Sequence, residues 1–321
     1  MVRPAAALRG CGMVEPADRL PLQDPLPAVV VNPSHVDDLA RLHTKIAKVC
    51  VELGWATPLW LTTTVEDPGG GQTRIALDAG ADVVLACGGD GTVRRVAHVL
   101  AGSGIPLGLL PTGTANLLAR NLAIVRNDPV SATRIALSGR NRAIDVGWVR
   151  IDDRDEEQVF LVMAGMGFDA EIMAGAPHQL KTRLGPLAYF VSGARALGVP
   201  RAPITLVVDD RPELPRQVRM VVVGNCGKLL AGLLLLPAAK VDDGLLDVVS
   251  LGPRSIYGWL AVTARVLTHR RCGHRIVQHW QGRTVILNAE IPQLAQLDGD
   301  PVGHVRAMRM RVDPLALLVR V

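Results

Sequence analysis

Two short segments carry the residue types that handle phosphate. The first, Gly88-Gly89-Asp90-Gly91-Thr92, lies between the apolar run Asp82 to Cys87 and the helical pattern Val93 to Leu100. Glycine lets the backbone turn sharply and lets an anion approach with no Cβ in the way. The helix that follows points unpaired N–H groups and the positive end of its dipole at the same space. Thr92 can cap that helix or donate to phosphate. Asp90 repels an anion and fits instead as a partner of Mg2+ or of water around the metal. A plain tight strand-to-helix turn uses the same residues, so one such turn does not decide. The second segment, Pro111-Thr112-Gly113-Thr114-Ala115-Asn116, follows the apolar run Ile105 to Leu110 and also opens a helix. Neither is a Walker A loop or a G-x-G-x-x-G dinucleotide fingerprint.

The elements around these segments decide whether they meet. Ala28 to Val31 is a short apolar strand closed by Asn32-Pro33-Ser34, and residues 36–54 place Leu39, Leu42, Ile46 and Val49 at helical spacing. Pro58 to Thr62 is a second strand, and a Gly-rich loop from Asp67 to Gly71 leads into a helix through Ala79. Strands alternating with helices predict an open parallel α/β sheet. In such a sheet the loops at the strand C-termini share one edge, where ligands bind. Asn32, Thr63, Gly88 to Thr92 and Gly113 to Asn116 all fall on that edge.

From Ala143 the chain reads as short strands split by polar turns: Ala143 to Arg150, Gln158 to Ala164, Pro203 to Val208 and Gln217 to Gly224. A helical insert, about Lys181 to Ala196, interrupts them. The run Asp152 to Glu157 is a solvated hairpin tip rather than a metal site. The expected organisation is a tail over 1–27, an α/β domain over 28–142, a β-rich domain over 143–306, and closing strands over 307–321 (Ala307 to Val312 and Leu315 to Val321) that can return to the first domain.

The chain has 321 residues, 49% hydrophobic, 20% charged and 3% aromatic, with a net charge of +5. That length fits about two domains, and so few aromatics cannot supply the stacking platforms of a single-strand nucleic-acid binder. The five cysteines form no CxxC pair and read as reduced thiols of a cytoplasmic protein. No segment reads as a signal peptide or a transmembrane span. Residues 248–289 hold six arginines and no Asp or Glu. That stretch fits a core helix with a solvated basic loop, or contact with anionic lipid.

The ordered set Asn32-Pro33, Gly88 to Thr92, Pro111-x-Gly113-Thr114-Ala115-Asn116, Gly167-Phe168-Asp169-Ala170, Asp243-Gly244-Leu245-Leu246-Asp247 and Leu297-Asp298-Gly299-Asp300 closely resembles the diacylglycerol kinase catalytic family over about residues 28–321. The resemblance implies an ATP-binding domain of the NAD kinase/phosphofructokinase-like kind and a C-terminal β-sandwich, with a lipid site between them. It implies ATP contacts from Asn32, Thr63, Gly88 through Arg95, Gly113, Thr114 and Asn116, with Asp90 organising Mg2+. Asp300 takes the place of the family's usual glutamate as general base. A structural Mg2+ site maps onto Asp243 with the carbonyls of Lys240 and Leu245.

Two departures stand out. The family commonly has x-Asn-Glu where this chain has Val93-Arg94-Arg95, and Asp where it has Leu117. The two arginines fit either phosphate contacts or a solvated helix face. The implied activity is ATP- and Mg-dependent phosphorylation of a lipid hydroxyl, that of diacylglycerol or a related lipid. The implied setting is cytoplasmic and peripheral at the inner face of the plasma membrane. A homodimer is left open and nucleic acid is not expected. Alternatives are a non-catalytic nucleotide- or lipid-binding member, or NAD kinase, which should carry Asn-Thr-Asp where this chain has Pro111 to Asn116. Met163, Met166, Met173 and Leu230 to Leu236 read as pocket lining or as core.

Overall fold

The computed structural model describes residues 24–124, 128–167, 201–227, 236–252 and 277–321. The expected insert at 181–196, Met173, Leu230 to Leu235 and residues 253–276 of the acid-free stretch lie outside the described residues.

Four parallel strands form the first half: β1 (Pro27–Val31), β2 (Leu59–Thr62), β3 (Val83–Gly88) and β4 (Leu107–Pro111), in the order β4-β3-β1-β2. The strands β1, β3 and β4 are buried along their whole length, which is why they read as unbroken apolar runs. Alternate side chains go to opposite faces. Val29, Val31, Val83 and Leu85 pack under α1 (Leu39–Glu52) and α5 (Pro129–Ser138). Ala28, Val30, Val84 and Ala86 pack under α2 (Gly70–Asp78) and α3 (Asp90–Leu100). Between α3 and α5 lies the short α4 (Leu117–Asn121). The sequence pattern misses α5, although Asp128 caps it and Pro129 occupies its first turn. It sits close to the sheet because Gly108 leaves room, since a Cβ there would lie 2.6 Å from the Ala136 Cβ.

The second half is antiparallel. Its strands are β5 (Asn141–Ile151), β6 (Gln158–Phe160), β7 (Met163–Gly167), β8 (Ala202–Val208), β9 (Leu214–Val218), β10 (Met220–Gly224), β11 (Leu246–Leu251), β12 (Val277–Gly282), β13 (Thr284–Leu297) and β14 (Asp300–Arg320). They wrap a core that includes Phe160, Met166, Leu206, Val248, Leu287 and Met308. Two expected strands are each divided, Gln158 to Ala164 into β6 and the start of β7, and Gln217 to Gly224 into the end of β9 and β10. The expected pair of closing strands is instead the single strand β14, whose pairing with β5 shifts between Asp313 and Leu317. This strand pairs with β13 and β5 and then joins β4 in parallel through Val319 and Leu107. One continuous sheet therefore runs through both halves.

Asp145 on β5 holds the β14 irregularity in place. It is fully buried, and its carboxylate accepts from Leu315 N–H and Gly244 N–H at 2.8 and 2.7 Å. Asp145→Ala would strand both donors and cost about 2–4 kcal/mol, read as a lower midpoint in urea unfolding. An unchanged midpoint would show the clamp to be dispensable.

Candidate active site

The four parallel strands end on one edge. Just beyond those ends, Asn32 N–H donates to Cys87 O at 2.8 Å and Thr63 N–H to Val31 O at 2.9 Å. Asn32 Oδ1 accepts from Ser34 N–H and Ser34 Oγ at 3.1 and 2.7 Å, while its Nδ2 donates to Thr92 Oγ1 at 3.4 Å. Helix α3 starts at Asp90, three residues earlier than the apolar pattern indicates, with Gly89 as its cap residue. Asp90, Gly91 and Thr92 therefore form the first helical turn, with its free N–H groups facing the strand edge.

The two glycine segments touch. Thr112 N–H and Gly113 N–H both donate to Gly88 O at 3.2 Å, and a Cβ on Gly113 would lie 2.5 Å from Gly89 Cα. Asn116 closes the second turn. It takes a left-handed φ of 47°, tolerated by Asn, and its Nδ2 donates to Gly113 O at 2.6 Å. Its amide thus shapes the turn. Thr114 lies exposed at the lip, with its carbonyl accepting from Arg120 at 3.3 Å. Gly113→Ala would push the two turns apart at a backbone contact that cannot yield. Nucleotide affinity should fall at least about tenfold, read by titration with a fluorescent ATP analogue. Wild-type affinity would show that the two turns do not form one cradle.

One residue outside the motifs, His35, faces this edge, and one that the resemblance counts among the ATP contacts, Arg94, does not. The His35 Nε2 lies 3.4 Å from where a Cβ of Gly89 would be. Arg94 turns away from the cradle toward the β-rich half, where its Nη1 donates to Leu297 O at 2.5 Å and its Nη2 to Asp300 Oδ2 at 3.0 Å. The Cβ of Arg95 packs toward Gly69 at the start of α2. Leu117, where the family commonly has an acid, puts its side chain into the core. Its N–H still serves the site, donating to Asp90 Oδ1 at 2.6 Å.

Three carboxylates lie together here. Burial pushes Asp90 up to about 7, against the Leu117 N–H bond, with Asp298 and Asp300 adding repulsion. Asp298 is buried and accepts from Leu161, Val162 and Met163 N–H at 2.8 to 3.0 Å. Its carboxyl is pushed up by burial, opposed by Arg94 and those three N–H groups. With three backbone N–H bonds, Asp298 serves as the staple between the β13–β14 turn and the start of β7. Asp90, by contrast, is an oxygen donor whose ionisation is only partly offset by backbone N–H groups, which suits a hard divalent cation.

Lys240, Asp243 and Leu245 are held elsewhere, on the loop that Asp145 ties to the far end of β14. There the Asp243 Oδ1 accepts from Leu245 N–H at 3.2 Å. Burial raises the Asp243 carboxyl, with the Leu245 N–H opposing. Among the described residues, no group of three or more His, Cys, Asp or Glu could hold a metal ion. A cation on this loop would depend on one carboxylate and backbone carbonyls.

A parallel sheet is thus continued into an antiparallel one, with acids at the join. Family models for the diacylglycerol kinase catalytic domain and the YegS C-terminal NAD kinase β-sandwich-like domain match residues 27–149 and 162–321. The chain belongs to this family of lipid kinases. A Pseudomonas aeruginosa protein named "Probable lipid kinase YegS-like" is 33% identical over 76% of this chain and 78% of its own length. Diacylglycerol kinase of Bacillus subtilis is 26% identical over 86% of this chain and 89% of its own. The match to diacylglycerol kinase of Mycobacterium tuberculosis is 34% identical but spans 54% of this chain and 56% of that protein. Among solved structures, a diacylglycerol kinase from Bacillus anthracis superposes with a TM-score of 0.66 at 19% identity, covering 92% of this chain and 96% of that one. That likeness bears on the fold alone.

Proposed function

We propose that this chain transfers the γ-phosphoryl group of ATP to the hydroxyl of diacylglycerol or a closely related lipid. The observation that supports the reading most is the seat of Asp300. A carboxylate from the β-rich half lies against the first turn of the cradle helix, with the Asp300 Oδ2 2.9 Å from where a Cβ of Gly91 would be.

In this reading the free N–H groups of α3 and the glycine turns hold the ATP phosphates. Asn32, Thr63 and Thr114 line the remaining nucleotide edge. Asp300 accepts the proton of the lipid hydroxyl as its oxygen bonds to Pγ. The bond from Pγ to the bridging oxygen of the β-phosphate breaks in step, and ADP leaves with that electron pair. Asp90 would hold Mg2+, which when bound supplies charge neutralisation at the phosphates. Asp243 with the Lys240 and Leu245 carbonyls would hold a second, structural Mg2+. The lipid enters between the two halves (28–142 and 143–306) from a membrane surface, with the chain cytoplasmic and peripheral. No helix among the described residues is long and apolar enough to cross a membrane.

The test is a radiolabelled-ATP screen against diacylglycerol, monoacylglycerol, ceramide, sphingosine, phosphatidylglycerol and NAD in mixed micelles. Label on a lipid hydroxyl supports the reading. Label on NAD alone, or nucleotide binding with no transfer to any acceptor, overturns it.

A further inference from the structure

We infer that Arg94 is the positioning residue for Asp300, and that the two work as a matched pair. This rests on the kinase reading above and adds to it a residue which the cradle does not use.

The side chain of Arg94 is 10% exposed, whereas that of Asp300 is 48% exposed. A nearly buried guanidinium is costly unless its donors are used. Both bonds that Arg94 makes go to the β13–β14 turn, one to the fixed carbonyl of Leu297 and one to Asp300 Oδ2. The planar fork thus has one arm on rigid backbone and presents the other at a set angle to the carboxylate. Leu297 is itself fully buried, and Asp298 staples the same turn to residues 161–163. The arm that holds Asp300 is therefore referenced to a fixed frame.

The seat has a second wall. Gly91 lies three residues before Arg94 on α3, so the two share a helix face. A side chain at Gly91 would meet the carboxylate within 2.9 Å. Gly91 lets the carboxylate lie against the helix, and Arg94 fixes which oxygen points there. Oδ2 carries the arginine bond. Oδ1 accepts no hydrogen bond among the described residues and is the oxygen free to take a proton. An aspartate is one methylene shorter than a glutamate, and a clamp reaching in from α3 compensates for the shorter reach. Because Arg94 and the cradle belong to one helix, nucleotide seat and proton acceptor are built as a single unit across the two halves.

The test is a kinetic cycle on the full chain with Arg94→Gln, Arg94→Lys, Asp300→Asn and the double variant Arg94→Gln/Asp300→Asn. Arg94→Gln should lower kcat for lipid phosphorylation about 30- to 100-fold, with KM for ATP changed less than about threefold. Arg94→Lys keeps the buried charge but loses the fork and should recover part of that rate. In the Asp300→Asn background, Arg94→Gln should cost nothing more, since a residue that acts through Asp300 has nothing left to position. Multiplicative losses, an unchanged kcat, or a loss carried by KM for ATP would each overturn the role while leaving the kinase reading intact. If Arg94→Gln does not fold, the cycle is run with Arg94→Lys, judged by the same non-additivity. A wild-type chain that phosphorylates no lipid overturns the kinase reading and this role together.

Discussion

Asp300→Asn should remove about 10²- to 10⁴-fold of the turnover with a lipid acceptor while ATP affinity stays within about twofold. The substitution is chosen for what it keeps. Asparagine has the same length, and its carbonyl oxygen can still accept the Arg94 Nη2 bond that Asp300 Oδ2 accepts at 3.0 Å. The 2.9 Å approach to the Gly91 site also survives, so the β13–β14 turn stays on α3. Only the capacity to take a proton is lost. The cradle of Gly88, Gly89 and Gly113 does not include Asp300, so nucleotide titration should be near wild type. Transfer of label from ATP to diacylglycerol measures the first quantity and a fluorescent nucleotide the second. Wild-type turnover in the variant would remove Asp300 from the chemistry. Parallel loss of turnover and ATP affinity would make it a structural part of the cradle.

The cradle was legible in the sequence because its demands are local. Two glycine turns after two apolar strands state a backbone requirement that few other residues meet, and the parallel alternation brings the strand ends to one edge. The start of α3 was not legible. Asp90, Gly91 and Thr92 look like turn residues, yet a helix begins there because Gly89 serves as its cap residue. The helix α5 gives little periodic signal because the residues it buries, Ala132, Thr133, Ala136 and Leu137, are mostly small. In β14, Asp313 and Pro314 read as a break between two strands, but the strand absorbs it as irregular pairing and a left-handed Leu315 with φ of 54°. Arg94 was the least legible. An arginine inside a helix is usually solvated, and nothing in its neighbours reveals a partner 206 residues further along. Asp298, next to the candidate base, proves to be wholly occupied by backbone N–H groups, a role set by the long-range approach of β7.

Asp90→Asn should abolish lipid phosphorylation and at the same time raise the melting temperature far more at pH 8 than at pH 4, with nucleotide and divalent cations removed. The sign follows from the direction of the shift. Burial, with Asp298 and Asp300 nearby, holds the folded Asp90 carboxyl at about 7, against an unfolded value of about 3.9. Well below pH 4 the group is protonated in both states and costs nothing, and at pH 4, where the unfolded group is about half ionised, the cost is still only about 0.5 kcal/mol. As pH rises from about 4 to 7, the unfolded chain ionises while the folded chain keeps its proton, so stability falls by up to about 1.4 kcal/mol per pH unit. Above 7 the whole cost is present, about 2–4 kcal/mol in practice. Asparagine never ionises, and its carbonyl can still accept the Leu117 N–H that Asp90 accepts at 2.6 Å. The variant therefore escapes a loss that the wild type incurs. Added Mg2+ should narrow the gap, since a cation held by Asp90 stabilises the ionised wild type and has less to hold in the variant. Thermal denaturation at both pH values, with chelator and then with Mg2+, reads all of this. An equal shift at pH 4 and pH 8, or a lower melting temperature at pH 8, would mean that Asp90 ionises without strain. The stability given up for this carboxylate measures how much the fold concedes to keep an incompletely compensated charge beside the phosphate cradle.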